Sequence, residues 1–393
     1  MATVNGSMLR WAREAAGLNL ELAAKRAGFK DTKKTTAEGK LRAMENMERN
    51  ELSVAKLEKL AAIYRIPVLT FYLPEPPRKS DVGQDFRVIS GADPQQNALV
   101  QALLRQMKAS QSIIKEALLE ADATYHLPFV GSMNVDLAPK TAARKISDAI
   151  HFDIKAFRQA RNSNEAFKYL RAATEKLGIY VILKGNLKSH HTNIDIEYFR
   201  GIAIADNVAP FIVINDLDQS SAYSFTLLHE LAHLFMGQGG ISNNSIQIKV
   251  EKICNEIASQ ILLPDDDFAK FAINKDISLA AIERLIADYS TLTNVSCTHI
   301  AYRLLSRGDL DASQYKQLSR KFLEYWRAAK AKEKTANRDK PGGPNYYVVA
   351  KYKLGALVAQ VEQLTRSGIL SPSKAGIATN VRPINIYNLF DAA

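Results

Sequence analysis

Apolar residues recur at helical spacing along most of this chain, and one central stretch breaks to a strand-like pattern. Leu99, Leu103, Met107, Ile114 and Leu118 share a register over residues 95–123. Ile146, Ile150, Phe157, Phe167, Leu170 and Leu177 continue that style over 140–177. After Gly178 the pattern changes to short apolar runs at 179–183, 194–196, 202–204 and 211–214, separated by glycine, asparagine or proline, which predicts a small sheet. A proline-free apolar segment from Phe225 to Met236 follows and predicts a mostly buried helix stopped by Gly237, Gly239 and Gly240. A second helix is expected from Glu251 to its closing Pro264, with residues 253, 257, 258 and 261 on its apolar side. Two more helices are expected over 277–305 and a basic one over 310–334. Beyond the Pro/Gly-rich break at 339–344, residues 346–350 read as strand-like or extended and 355–368 as helix.

The N-terminal region predicts its own helices. Residues 9–16 and 20–27 each suit one, with Gly17 and Asn19 at the break, and residues 40–45 follow a polar, lysine-bearing loop. Ser53 is a good N-cap for a fourth, with Leu57, Leu60 and Ala61 as its apolar stripe, and Pro67 precedes a short apolar piece at 68–73. Pro74, Pro76 and Pro77, followed by Arg78 and Lys79, mark the clearest domain boundary, because prolines interrupt helix and stiffen a connection. This packing of short helices suits a helix-turn-helix domain, in which one helix braces a recognition helix in the major groove.

Chemistry concentrates in His229-Glu230-Leu231-Ala232-His233. On a helix, two histidines four residues apart lie on one face about a turn apart, as a shared tetrahedral zinc requires. Glu230 then stands beside the metal without ligating it, free to take a proton from water and pass it to a leaving amine. The bland alternative is a packed helix whose histidines pair with Glu230. Glu251 can supply a third ligand, and Asn255, one turn on, can hydrogen-bond a ligand imidazole. Glu256 rivals Glu251, and Cys254 is a soft-ligand candidate with a core role as its alternative. Tyr289, His299, Tyr223 and His191 are candidate donors to the oxyanion formed when a peptide carbonyl is attacked. His126 and His151 have no partner pattern and suit surface or packing roles.

Residues 199–206, the Asn215-Asp216 step, residues 225–233 and the 251–264 segment together resemble the ImmA/IrrE zinc metallopeptidase family, over roughly 165–310. The resemblance implies a gluzincin-like fold with His229, His233 and Glu251 holding Zn2+, Glu230 as general base, and strand 201–205 as an edge that holds extended substrate. Such proteins are commonly bacterial or phage-borne and cut a cognate DNA-binding repressor, releasing stress or mobile-element genes. The N-terminal segment resembles the Cro/repressor-like helix-turn-helix family that often precedes such peptidases. In that reading Lys34, Thr35, Thr36, Lys40 and Arg42 lie in or just before the recognition helix, suited to phosphate and base-edge contacts on double-stranded DNA. The 27–40 linker is longer than the family's tight turn, and Met44 and Met47 stand where tryptophan and glycine are common. These departures leave docking of a partner, or homodimerisation, as the other use of the domain. Residues 371–389 resemble the winged or small helical tail found after some of these peptidases.

The expected organisation is α+β: a helix-turn-helix domain at 1–76, a helical linker or insertion at 77–164, the zinc peptidase at 165–310 and a helical and winged extension at 311–393. The balance of 52 basic against 41 acidic residues, +11, favours phosphate partners, although the basic run 327–340 equally suits a solvated helix face. No apolar run is long enough for a membrane span, no secretion signal is recognisable, and two cysteines imply no disulfide framework, so a cytoplasmic location is expected. The leading expectation is a zinc endopeptidase acting on a regulatory protein. The alternatives are a DNA-binding regulator whose zinc fold is structural or sensory, and a toxin-antitoxin-type interaction protein.

Overall fold

The computed structural model describes residues 2–46, 51–76, 93–123, 126–237, 244–273, 277–338 and 345–392. Met47, the Pro77–Lys79 part of the predicted boundary, Gly239, Gly240 and the 339–344 break lie outside them. Two compact bodies emerge, one of residues 1–106 and 186–198, the other of 107–185 and 199–393.

In the first body, β1 (Ala2–Thr3) is followed by α1 (Gly6–Ala15), α2 (Leu20–Ala27), α3 (Ala37–Glu45), β2 (Glu51–Leu52) and α4 (Val54–Tyr64). A 3-10 turn at Val68–Tyr72 comes next, and then α5 (Pro94–Glu120), whose residues from Met107 onward belong to the second body. Side-chain caps fix the helix starts: Asn19 accepts from Leu22 N, Thr36 from Gly39 N and Ser53 from Lys56 N. Leu9, Ala12, Ala23, Ala24, Leu41, Leu57, Leu60 and Phe71 close one core. Through that core runs a buried ion pair. Arg13 of α1 grips Glu45 of α3 with two bonds of 2.7 and 2.9 Å and donates a third to the Leu18 carbonyl at 2.9 Å.

The second body continues with α6 (Pro139–Ala149), α7 (Ile154–Gln159), α8 (Ser163–Glu175), β3 (Tyr180–Leu183), β4 (Gly201–Ile204), β5 (Phe211–Ile214) and α9 (Ser220–Phe235). Then come α10 (Asn244–Leu262), α11 (Asp265–Phe268), α12 (Leu279–Thr293), α13 (Cys297–Arg307) and α14 (Ala312–Arg338). The tail adds α15 (Tyr346–Leu354), α16 (Ala356–Arg366), α17 (Pro372–Thr379) and α18 (Ile386–Phe390). Helices around a small mixed sheet make the chain α+β. The sheet order is β3-β5-β4, with β3 parallel and β4 antiparallel to the central strand. All four residues of β5 are buried, since both faces of a central strand are covered, which is why its sequence is continuously apolar. Val181, Leu183, Ile212 and Ile214 join one core with α6 to α10, α12 and α13.

Three expectations are corrected. Residues 194–196 form a loop and turn, not a strand, and belong to the first body. Residues 346–350 open α15: Asn345 caps it by accepting from Tyr347 N, and the β-branched pair that suggested a strand sits inside the helix. Residues 371–389 carry helices and a 3-10 turn with no strand among the described residues, so the tail is helical and not winged. Arg171 of α8 fastens this tail. It is paired with Glu175 at 3.1 Å and donates to the carbonyls of Tyr352 and Lys353 at 2.6 and 3.1 Å and to that of Val181. Glu175 in turn accepts from Ala356 N at 3.1 Å. Gly355, at φ +56°, makes the bend between α15 and α16, where a side chain would meet the Arg171 and Glu175 side chains.

Arg13 and Glu45 are 8% and 4% exposed, so removing one partner strands a buried charge. Glu45→Ala should cost about 3–5 kcal/mol in urea unfolding, whereas the apolar pair Arg13→Met with Glu45→Leu should cost much less; equal losses would contradict this account.

Candidate metal centre

Helix α9 is held from several sides, which fixes where its two imidazoles point. Leu227, Leu228, Leu231, Ala232, Leu234 and Phe235 are buried against the sheet and neighbouring helices. At its C-terminal end, where helix carbonyls lack intrahelical donors, Gly131 N and Met133 N donate to the Leu234 and Phe235 carbonyls at 3.0 and 2.9 Å. Gly237 turns the chain away at φ +64°, its Cα face against Gly131.

His229 and His233 project from α9 toward α10, where Glu251 meets them. Their Nε2 atoms are 3.1 Å apart, and each is 3.6 Å from one carboxylate oxygen of Glu251. Two imidazole nitrogens at that distance cannot both carry protons, so lone pairs converge with too few hydrogens between them. A tetrahedral zinc with ligands near 2.0–2.1 Å would place its donor atoms about 3.3 Å apart. The observed separations of 3.1 and 3.6 Å straddle that spacing, and the two-nitrogen, one-oxygen donor set is one zinc accepts. The residues present therefore fit the ion.

Of the residues predicted for the site, His229, His233 and Glu251 come together as a group with ligand atoms within 4.8 Å of one another. Glu256 is exposed and 3.9 Å from Lys252, and Cys254 is buried outside the group. Asn255 is near enough to His229 to favour its protonated form. Burial opposes charge on His229, but Glu251, with help from Glu230 and Asn255, lifts its pKa above the ordinary value. Burial and the neighbouring His229 push His233 down to about 4. Glu230, 7% exposed, faces β4 from the same helix.

The candidate oxyanion donors are scattered. Tyr223 spends its hydroxyl hydrogen on the Asp216 and Asp218 carbonyls, at 3.0 and 3.3 Å. Tyr289 is stacked on Phe271 at 4.2 Å. His191 lies in a 3-10 turn of the first body, its ring against His190. His299 is the one tied to the centre: its ring packs on Phe225 at 4.6 Å, and Phe225 reaches the His229 ring at 6.4 Å. Its Nε2 faces Ser259 Oγ at 3.2 Å, and burial beside Arg303 pushes its pKa down to about 3, so the ring is neutral. His126 approaches Asn207 at 3.3 Å and takes no part.

Two residues that the sequence offered only as part of the family resemblance, with no role attached, organise the site. Asn215 is fully buried, donates to the Phe199 carbonyl at 2.9 Å and accepts from Leu217 N at 3.0 Å, which locks the entry of β4 to the turn before α9. Gly201 lets β4 approach Glu230; its signal was a glycine opening a strand, a common mark of close backbone approach. In the first body, four of the five candidate DNA contacts surround the start of α3, and Arg42 sits in its last turn. Thr36 caps it, Thr35 bonds Thr32, Lys40 donates to the Lys30 carbonyl at 2.6 Å, Arg42 pairs with Glu38 at 2.5 Å, and Lys34 is exposed.

A family model described as the IrrE N-terminal-like domain of the M78 peptidases matches residues 174–305, a span that includes the sheet, the His229–His233 helix and Glu251. The match supports the resemblance to the ImmA/IrrE family and a metallopeptidase-type function, and it covers neither the N-terminal helices nor the tail. No curated protein matches.

Zinc must displace the proton that the pair retains on His229. Between the pKa of His233, about 4, and the raised pKa of His229, affinity should fall about tenfold per pH unit as pH decreases, with one proton released per ion. Chelator competition between pH 5 and the ordinary histidine pKa of about 6.5 measures this, and a flat profile there would contradict it. In the metal-free protein the sign is opposite: the His229 contribution to stability is present at low pH and is lost as pH rises through its raised pKa.

Proposed function

We propose that this protein is a zinc-dependent endopeptidase that hydrolyses a peptide bond in a cognate regulatory or repressor protein. The observation that carries the reading is the convergence of His229, His233 and Glu251 with Glu230 on the same buried helix, beside an edge strand. His229, His233 and Glu251 would hold Zn2+, and the ion, when bound, supplies a Lewis acid that acidifies water and polarises a carbonyl.

The remaining work falls to the protein. Glu230 takes a proton from the attacking water and returns it to the leaving amine, so the two halves of the reaction share one carboxylate. Burial of Glu230 limits competing water around it and strengthens its interaction with a nearby proton. Strand β4 receives the substrate. Asn215 N bonds the Arg200 carbonyl at 2.9 Å, so Arg200, Ile202 and Ile204 face β5 with their backbone groups. Gly201 and Ala203 then offer theirs to the outer side, where an extended peptide pairs by main-chain bonds without demanding a particular sequence. His299, neutral and packed on Phe225 with its Nε2 against Ser259 Oγ, supports the site by packing.

The N-terminal helices serve as the recognition module, binding double-stranded DNA or the regulatory partner. Lys34 and Lys40 lie around the exposed start of α3, and the basic excess of the chain attracts phosphate. Pairing of Arg42 with Glu38 and use of Thr36 as a cap reduce what these two side chains have left for base edges. Homodimerisation through the same module would present two such surfaces. A cytoplasmic setting suits a regulatory substrate, and no helix among the described residues is long and apolar enough to cross a membrane.

Glu230→Gln should keep zinc at one ion per chain while lowering cleavage of a regulatory protein encoded beside this one by about 10²–10⁴-fold. Glu251→Ala should lose the ion, and Glu256→Ala should keep both ion and activity. Metal analysis with mass spectrometry of the products decides it; undiminished cleavage by Glu230→Gln would sink the assignment.

A further inference from the structure

The close approach of β4 to α9 depends on the missing side chain of Gly201. A Cβ built there would lie 2.6 Å from Glu230 Oε1, 2.8 Å from Glu230 Cγ and 2.6 Å from Thr226 Cγ2, distances that real Cβ atoms essentially never show. The backbone itself is not what requires glycine. Gly201 is not among the positive-φ residues; it lies in regular strand, paired with Ile214, a conformation open to any amino acid. What excludes a side chain is the Glu230 side chain, lying across the strand where that side chain would be, together with the Thr226 methyl.

We infer that Gly201 is a positioning residue for the general base: its bare Cα forms the seat against which the Glu230 carboxylate is held. This rests on the reading of His229, His233, Glu251 and Glu230 as a zinc-hydrolase centre. The seat has a second consequence. Gly201 also presents outward backbone groups on the edge of the sheet, so the residue that seats the base is the residue beside which an extended peptide is paired. Base and substrate strand are thereby referenced to one point, and neither can shift without the other. Asn215 keeps that point in place, because its side chain joins the Phe199 carbonyl, two residues before Gly201, to the turn that leads into α9.

The test is a double-mutant cycle of Gly201→Ala and Glu230→Ala, made throughout in a Thr226→Ser background so that the Thr226 methyl contact is absent from every arm. Zinc affinity is measured first. Each of the four proteins should bind one ion, and Gly201→Ala should change the affinity by less than about threefold in either Glu230 background, since Gly201 is not a ligand. Failure of the parent to bind zinc would overturn the proposed function itself, whatever the cycle gives. Acetohydroxamate binding to the zinc-loaded proteins is the second readout, because a hydroxamate bound at a metal donates to a carboxylate held beside it. Gly201→Ala should weaken it roughly tenfold with Glu230 present and leave it unchanged in Glu230→Ala, an interaction of the size that touching residues show. Thermal unfolding is the third: Gly201→Ala should lower Tm by several degrees with Glu230 present and by little without it. Additive effects in either the hydroxamate or the thermal cycle would overturn the assignment, because a purely local strain in β4 would act the same with or without the carboxylate.

Discussion

The packing of α9 is the constraint to which the second body answers. A helix whose Leu227, Leu228, Leu231, Ala232, Leu234 and Phe235 are all buried cannot rotate about its axis without displacing a core. Its polar residues are consequently aimed by its apolar ones. His229 and His233 emerge on the side that α10 faces, Glu230 on the side of β4, and the difference of about 100° per residue along a helix is enough to give neighbouring side chains different tasks. The sheet, α8 and α10 hold the helix, and the 131–133 backbone finishes it where its own hydrogen bonds run out.

Much of this was legible in the sequence because it is local. The histidine spacing, the cap at Ser53 and the apolar run of β5 each declare themselves within a few residues. Glu251 was legible as one of two acidic candidates, and geometry separates it from Glu256, which faces away toward Lys252. What could not be read depends on partners far apart in the chain. Arg13 and Glu45, or Arg171 and the carbonyls of residues 352 and 353, look like ordinary surface charges until the fold buries them. The 194–196 run failed because an apolar alternation of three residues says nothing about whether a neighbouring strand exists to pair with it. Tyr346 to Ala350 failed for the converse reason, since tertiary packing against β3 overrides a weak local preference.

The electrostatics follow the same division between local and assembled. In sequence, His229 and His233 are two like imidazoles; in the structure their surroundings pull them apart. Glu251 favours charge on His229, while burial and the neighbouring His229 oppose it on His233. His299, though an imidazole like them, is kept neutral by burial near Arg303 and serves its surroundings as a flat ring against Phe225.

The tail fastening has a bearing on how this sheet avoids indiscriminate pairing. A three-stranded sheet has two edges, and each is an invitation to any extended chain. At β3, Arg171 occupies the outward carbonyl of Val181, and α15 and α16 lie along the strand. The guanidinium therefore does for one edge what a gatekeeper charge does elsewhere, and the helices of the tail act as a permanent cover. Loss of that cover would give the molecule a second adhesive border, one with no chemistry behind it, on which copies of the chain could stack.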